Sequence, residues 1–273
     1  MLASSDLIPP VIDISPLLDP MACSKEVHAE VQHQILAACQ QWGFFNIINH
    51  GISEKLQFNL KQEMDLFFKS STEVKYSVKR SPSNSRGFAD DELTKQITDS
   101  KEIFDIGQVH FPNLSEKAQA NQMLDGINLW PEADHLTNFK PVMDEYYNAA
   151  LTLSGILFKA IVEQLVCDEE LPANVTNAFE THSSFLRLNM YPIVQTQPSN
   201  SAAGAWTGAE AEAVDSEGNV ESSSSAKSKN TSNSTPLGIS RHTDAGVLTL
   251  LLQDSQPGLE VYTGSNQDFG DGE

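Results

Sequence analysis

Apolar and polar positions follow two rhythms along this chain, a helical one first and a strand-like one later. Val11-Ile12-Asp13-Ile14, just after Pro9-Pro10, alternates with period two and predicts a short strand. From Lys25 to Gln41 the apolar residues Val27, Val31, Ile35 and Ala38 fall three or four apart, which predicts a helix ended by Gly43. Phe44 to Ile48 reads as a buried strand, and Asn49-His50-Gly51 as a turn. Ser53 is placed to cap a second helix with Leu56, Leu60, Met64, Phe67 and Phe68 on one face. Residues 79–100 are polar and read as irregular, with Arg86-Gly87-Phe88 inside them. Phe139 to Val166 predicts a long helix whose stripe runs through Val142, Tyr146, Leu153, Leu157, Ile161 and Leu165. From Ser184 the period returns to two through Phe185, Leu188, Met190 and Tyr191, closed by Pro192. Helices come before strands, so the expected fold class is α+β.

Residues 195–236 fit neither rhythm. They hold Gly, Ala, Ser, Asn and acids and almost no large apolar side chains. Such a composition buries too little surface to offset chain entropy, which predicts a disordered loop insertion. A surface loop accepts that length at small free-energy cost.

Composition narrows the classes of function. The chain has 273 residues, 40% of them hydrophobic, enough for one large domain or two small ones. A net charge of −20 argues against nucleic acid and anionic membrane surfaces as partners, since both need clustered Lys and Arg. No apolar run reaches membrane-spanning length, and the first residues lack a basic-then-apolar pattern. Cys23, Cys39 and Cys167 are odd in number and far apart, which reads as reduced thiols in a cytoplasmic protein.

The candidate chemistry sits in Ser240-Arg241-His242-Thr243-Asp244-Ala245-Gly246, ahead of the aliphatic run Val247 to Leu252. Side chains at i and i+2 of an extended strand leave the same face, so His242 and Asp244 converge while Thr243 turns away. An imidazole and a carboxylate are two thirds of the 2-His-1-carboxylate set that holds non-haem Fe(II) and leaves positions open. Ligation needs the deprotonated forms, so iron affinity is expected to fall in acid. Gln256-Pro257-Gly258-Leu259-Glu260-Val261 reads as a further turn and strand.

Other polar residues have plainer readings. His50 belongs to the Asn49-His50-Gly51 turn, and His182 has no acidic neighbour at metal spacing, so neither is read as a ligand. Arg187 reads as one half of a structural ion pair and not an anion clamp. Asp90, Asp91 and Glu92 read as a solvated loop. Phe58, Phe67 and Phe68 read as helical core.

The segment from Gly238 to Val261 resembles the iron-binding core of the isopenicillin N synthase-like branch of the Fe(II)- and 2-oxoglutarate-dependent dioxygenases. The earlier blocks agree with that resemblance. Trp42-Gly43-Phe44-Phe45 and Asn49-His50-Gly51-Ile52 resemble the family's "WGFF…NHGI" region, Lys101 to Gly107 another recurrent block, and Arg187-Leu188-Asn189-Met190-Tyr191-Pro192 its "RxNxYP" strand. The blocks stand in family order over about residues 8–262, outside the insertion. The resemblance implies a helical and strand N-terminal region packed on a double-stranded β-helix, or jelly roll. It implies His242 and Asp244 as iron ligands, and Asn189 and Tyr191 as residues that bind the co-substrate. Fe(II), 2-oxoglutarate and ascorbate are the implied cofactors, with a small molecule and dioxygen as partners.

The family also carries a second iron-binding histidine further along and an Arg-x-Ser pair for the distal carboxylate of 2-oxoglutarate. Neither follows His242 in this sequence. The expectation is therefore a jelly roll truncated after its first strands, in an incomplete copy that grips iron weakly and exposes sheet edges. The expected division is an N-terminal region over 1–135, a long-helix segment over 136–181, and a partial jelly roll over 182–273 that contains the insertion. The implied activity is hydroxylation, desaturation or cyclisation of a small molecule by a protein that would be monomeric if complete. Two other readings stay open: an Fe(II) oxidase of the same fold that does not use 2-oxoglutarate, and a non-catalytic remnant or interaction module.

Overall fold

The computed structural model describes residues 8–94, 97–108, 126–166, 184–192, 238–244 and 246–261. The insertion, His182 and Cys167 lie outside the described residues.

The first elements are β1 (Val11–Asp13), a single helical turn α1 (Ser15–Leu18), α2 (Lys25–Gln41) and β2 (Asn46–Ile48). Strands β1 and β2 pair in parallel with Ile12 opposite Ile47. Ser24 caps α2 by accepting from the Val27 backbone N–H. The helix closes where Gly43 takes φ +66°, a left-handed conformation that glycine reaches without a Cβ penalty. β2 is shorter and more open than the sequence suggests. Phe44 and Ile48 are each 46% exposed, while Ile12 is buried and Ile47 packs inward. A two-stranded ribbon rests one face on the core, and period two sends the alternate side chains to solvent.

Ser53 caps α3 (Glu54–Phe68), its hydroxyl accepting from the Leu56 N–H, as its position suggested. Leu56, Leu60, Phe67 and Phe68 are buried and Met64 is partly so. Phe58 is exposed, against the expectation of core, because it lies off the 56–60–67 stripe. α4 (Thr72–Ser77) follows. Residues 79–100 are not irregular: they hold β3 (Gly87–Ala89) and a small hairpin of β4 (Leu93–Thr94) and β5 (Ile97–Thr98). These strands are two or three residues long and arise from their pairing, so no periodicity marks them in the sequence.

β6 (Glu102–Gly107) and β7 (Phe185–Met190) complete an antiparallel three-stranded sheet in the order β3-β6-β7. Phe104 stands opposite both Phe88 and Leu188, so all three share one face. That face packs on α3 and on the first half of α5 (Phe139–Leu165), around Phe67, Phe139 and Met143. Phe67 lies at its centre, with ring centroids 4.8 Å from Phe104 and 5.0 Å from Phe139. The second half of α5, through Leu153, Leu157 and Ala160, packs on β1, α1 and α2. With 27 residues α5 runs about 40 Å and serves both clusters. Its buried positions step 139, 143, 146, 153, 157, 160. The next step falls at Gln164, so Leu165 turns outward and is 60% exposed, against expectation.

The aliphatic run after His242 is described but forms no strand. Its side chains still alternate: Leu248 and Leu250 pack on the second cluster and Leu252 on the first, while Val247 and Leu251 are exposed. The period-two pattern set the facing of the side chains. A strand also needs a hydrogen-bonded neighbour, and none is assigned beside this run among the described residues. The expected strand near Val261 is absent likewise, although Asp254 Oδ1 accepts from the Gln256 N–H in a turn.

Candidate metal centre

His242 and Asp244 meet, although they do not sit on a strand. His242 Nε2 lies 3.4 Å from Asp244 Oδ1. The other ring nitrogen, Nδ1, is 2.8 Å from the Ser240 carbonyl oxygen. A carbonyl can only accept, so Nδ1 carries the proton, and in the neutral ring Nε2 presents its lone pair toward the carboxylate. Backbone anchoring of one ring nitrogen is how proteins orient a metal-binding histidine. Two donors bound at roughly 2.1 Å in adjacent positions of an octahedral first-row ion stand about 3 Å apart. The pair therefore fits two neighbouring positions of such an ion. Both side chains are open to solvent, at 38% and 52% exposure. Among the described residues no group of three His, Cys, Asp or Glu side chains could hold a metal.

The face of β7 away from the first cluster carries Phe185, Arg187 and Asn189, opposite Gly107, Asp105 and Ile103 of β6. Arg187 clasps Asp105 in bidentate fashion, Nε to Oδ1 at 2.8 Å and an Nη to Oδ2 at 2.7 Å. Its other Nη donates to Glu92 at 3.0 Å. Burial alone would make the guanidinium easier to deprotonate, but the two carboxylates outweigh it and raise its affinity for the proton. Arg187 is thus the structural ion pair its sequence context suggests.

Glu92 overturns the solvated-loop reading. Its side chain is only 16% exposed and is held by Arg80 at 2.9 Å, Lys101 at 3.3 Å and Arg187. Burial pushes its carboxyl up, yet the charge of Arg187 and the bonds from Arg80 and Lys101 hold it below the usual carboxylate value. Asp90 is likewise engaged, by Lys79 at 2.8 Å and the Tyr76 hydroxyl at 2.6 Å.

Asn189 lies in β7 on the Arg187 side. Tyr191, two residues on, packs its ring on the backbone of Gly238, and burial pushes its phenol up. Tyr191 therefore reaches the segment of His242 and Asp244 at Gly238, four residues before His242. His50 is structural as expected: Asn49 and Gly51 both take positive φ, and His50 Nδ1 accepts from the Ile52 N–H. Asp105, Lys101 and Glu92 were missed at the level of sequence. The available signal was Asp105 alone in the apolar strand Ile103-Phe104-Asp105-Ile106, since a carboxylate buried there requires a cation.

Residues 9–133 match the family described as non-haem dioxygenase in morphine synthesis, N-terminal. The 2-oxoglutarate-dependent dioxygenase caaD of Aspergillus niger is 28% identical over 269 residues, covering 95% of this chain and 68% of that protein. A homoarginine-6-hydroxylase of Arabidopsis thaliana is 34% identical over 163 residues, 56% of this chain and 47% of that protein. The crystal structure of a full-length Neurospora crassa protein in complex with alpha-KG and 5-formyluracil superposes with a TM-score of 0.54 at 25% identity, over 70% of this chain and 54% of that one. The architecture is that of a non-haem oxygenase scaffold, α+β as expected. The chain is thus similar to 2-oxoglutarate-dependent dioxygenases over most of its length, and residues 9–133 match a non-haem dioxygenase N-terminal family. It spans about two thirds of the length of the caaD protein and just over half of the Neurospora crassa chain. These overlaps do not establish the truncated jelly roll expected from the sequence. Among the described residues no helix is long and apolar enough to cross a membrane.

Proposed function

We propose that this chain carries the iron-binding part of an Fe(II)- and 2-oxoglutarate-dependent oxygenase that hydroxylates, desaturates or cyclises a small molecule. The supporting observation is the approach of His242 Nε2 to Asp244 Oδ1 at 3.4 Å, with Nδ1 anchored on the Ser240 carbonyl, in a chain similar to these dioxygenases. When bound, iron would couple oxidative decarboxylation of 2-oxoglutarate to succinate with oxidation of a substrate C–H bond.

The chain's own groups have distinct parts. His242 offers a neutral nitrogen, and Asp244 offers negative charge to balance the cation. Arg187 is already matched by Asp105 and Glu92, so it does not serve as the co-substrate's carboxylate clamp. Asn189 and Tyr191 are our candidates for contacting the co-substrate. The raised phenol of Tyr191 keeps its proton at neutral pH and acts there as a donor. Ascorbate would keep the iron ferrous, and a reducing cytoplasm suits both that metal and the free thiols of Cys23 and Cys39. The divisions at 135/136 and 181/182 are our working domain limits.

The test is succinate release from the full chain with Fe(II), 2-oxoglutarate and ascorbate. The expected outcome is iron-dependent release that His242→Ala and Asp244→Ala each reduce to background. Equal release from His242→Ala would sink the assignment. Oxygen consumption without added 2-oxoglutarate would move the protein to the oxidase reading. A second reading draws on the two-member ligand set and its open flank: metal binding without turnover, as in an interaction module. One-to-one Mn(II) binding with no succinate would favour it.

A further inference from the structure

The His242–Asp244 pair lies in a segment with no strand neighbour among the described residues, yet the segment is fixed at both ends. Downstream, Leu248 and Leu250 insert into the second cluster and Leu252 into the first. Gly246, at φ +130°, makes the turn that leads there. Upstream, the fixed point is Gly238. Its carbonyl oxygen accepts from the Ser100 N–H at 2.9 Å. Its Cα lies against the Tyr191 ring so closely that an added methyl would stand 2.5 Å from Cδ1 and 3.0 Å from Cε1.

The platform under Gly238 is tied by buried ion pairs. Ser100 sits between Asp99 and Lys101, whose side chains are 1% and 3% exposed and pair with each other at 3.3 Å. Asp99 Oδ2 also accepts from the Thr94 hydroxyl at 2.8 Å, and Lys101 pairs with Glu92. Glu92 in turn holds Arg187 in β7, the strand that leads into Tyr191. One ionic chain therefore ties together the two surfaces that grip Gly238. The grip requires glycine at 238 and a flat ring at 191.

We propose that Gly238 and the ring of Tyr191 form a clamp that sets the spacing of His242 and Asp244 for a metal ion, which makes Tyr191 a positioning residue through its ring face. This rests on the metal-centre reading above. It separates two properties of one side chain: the ring holds the ligand segment, and the hydroxyl remains for the co-substrate. A ligand pair held before the metal arrives loses less freedom on binding than a loose one. Outer partners that orient metal ligands typically change affinity by roughly 10–100-fold.

The experiment is a Mn(II) titration of the full chain, followed by electron paramagnetic resonance, without co-substrate. The controls come first: the unaltered chain binds Mn(II), and His242→Ala weakens that binding. If either control fails, the metal-centre reading fails and the clamp with it. Given both controls, Tyr191→Ala is expected to weaken Mn(II) binding roughly tenfold. Gly238→Ala is expected to do the same, while Tyr191→Phe keeps the affinity of the unaltered chain. Circular dichroism verifies that each variant is folded. If Gly238→Ala does not fold, the Tyr191 pair decides alone, because that side chain is half exposed and tolerates truncation. Two results overturn the clamp while sparing the metal centre: Tyr191→Ala binding as tightly as the unaltered chain, or Tyr191→Phe weakening as much as Tyr191→Ala.

Discussion

Glu92 shows how one residue's neighbours decide its chemistry. In the sequence it ends an acidic triplet and looks solvated. In the fold it joins Arg80, Lys101 and Arg187, and with them β7 and the hairpin β4–β5. Its folded-state affinity for the proton lies below the ordinary value of 4.5. A carboxylate so shifted adds stability above that ordinary value, and the contribution disappears as pH falls through the depressed one. The urea midpoint should therefore decline as pH drops below about 4.5. Glu92→Gln should have a lower midpoint at pH 7 and a flatter acid limb. An unchanged acid limb in that variant would show that other carboxylates dominate. The approach of His242 to Asp244 was legible from their spacing, because i and i+2 positions in an extended segment emerge on one side. Glu92 and Asp105 were not legible, because Arg187, which pairs with both, stands 95 residues from one and 82 from the other.

At the scale of elements, local signals worked where the physics is local. The caps Ser24 and Ser53 and the left-handed turns at Gly43 and Asn49 follow from a few adjacent residues. β3 failed to stand out because Gly87–Ala89 is a strand only through its pairing with β6. The aliphatic run after His242 failed in the opposite sense, since it has a strand's alternation with no strand partner assigned among the described residues. The helix α3 owes its place to Phe67, which is fully buried and stacks on Phe139. Phe67→Ala should cost about 3–5 kcal/mol, read as a lower urea midpoint with an unchanged slope. A loss below about 1 kcal/mol would mean that neighbouring rings collapse into the space.

For the whole molecule, α5 is the decisive element. It contributes Phe139, Met143 and Tyr146 to one cluster and Leu153, Leu157 and Ala160 to the other. A rigid helix shared in this way couples the two clusters into one cooperative unit. Unfolding followed by circular dichroism and by tryptophan fluorescence should coincide. Leu157→Ala should shift both curves together, by about 2–5 kcal/mol. Two separated transitions would show that the clusters unfold independently. The segment carrying His242 and Asp244 touches both clusters through Leu248, Leu250 and Leu252, so the proposed metal centre depends on the same unit.

The sequence by itself determined the helices α2, α3 and α5, the Ser53 cap, the α+β class and the approach of an imidazole to a carboxylate. Each of these depends on residues close in sequence or on blocks recognisable one at a time. Only the tertiary structure decided that Glu92 and Asp105 hold Arg187, that Gly238 rests on Tyr191, and that the run after His242 aligns its side chains without forming a strand. Those facts belong to residues far apart along the chain. Only packing and desolvation select which of the many possible partners each one meets.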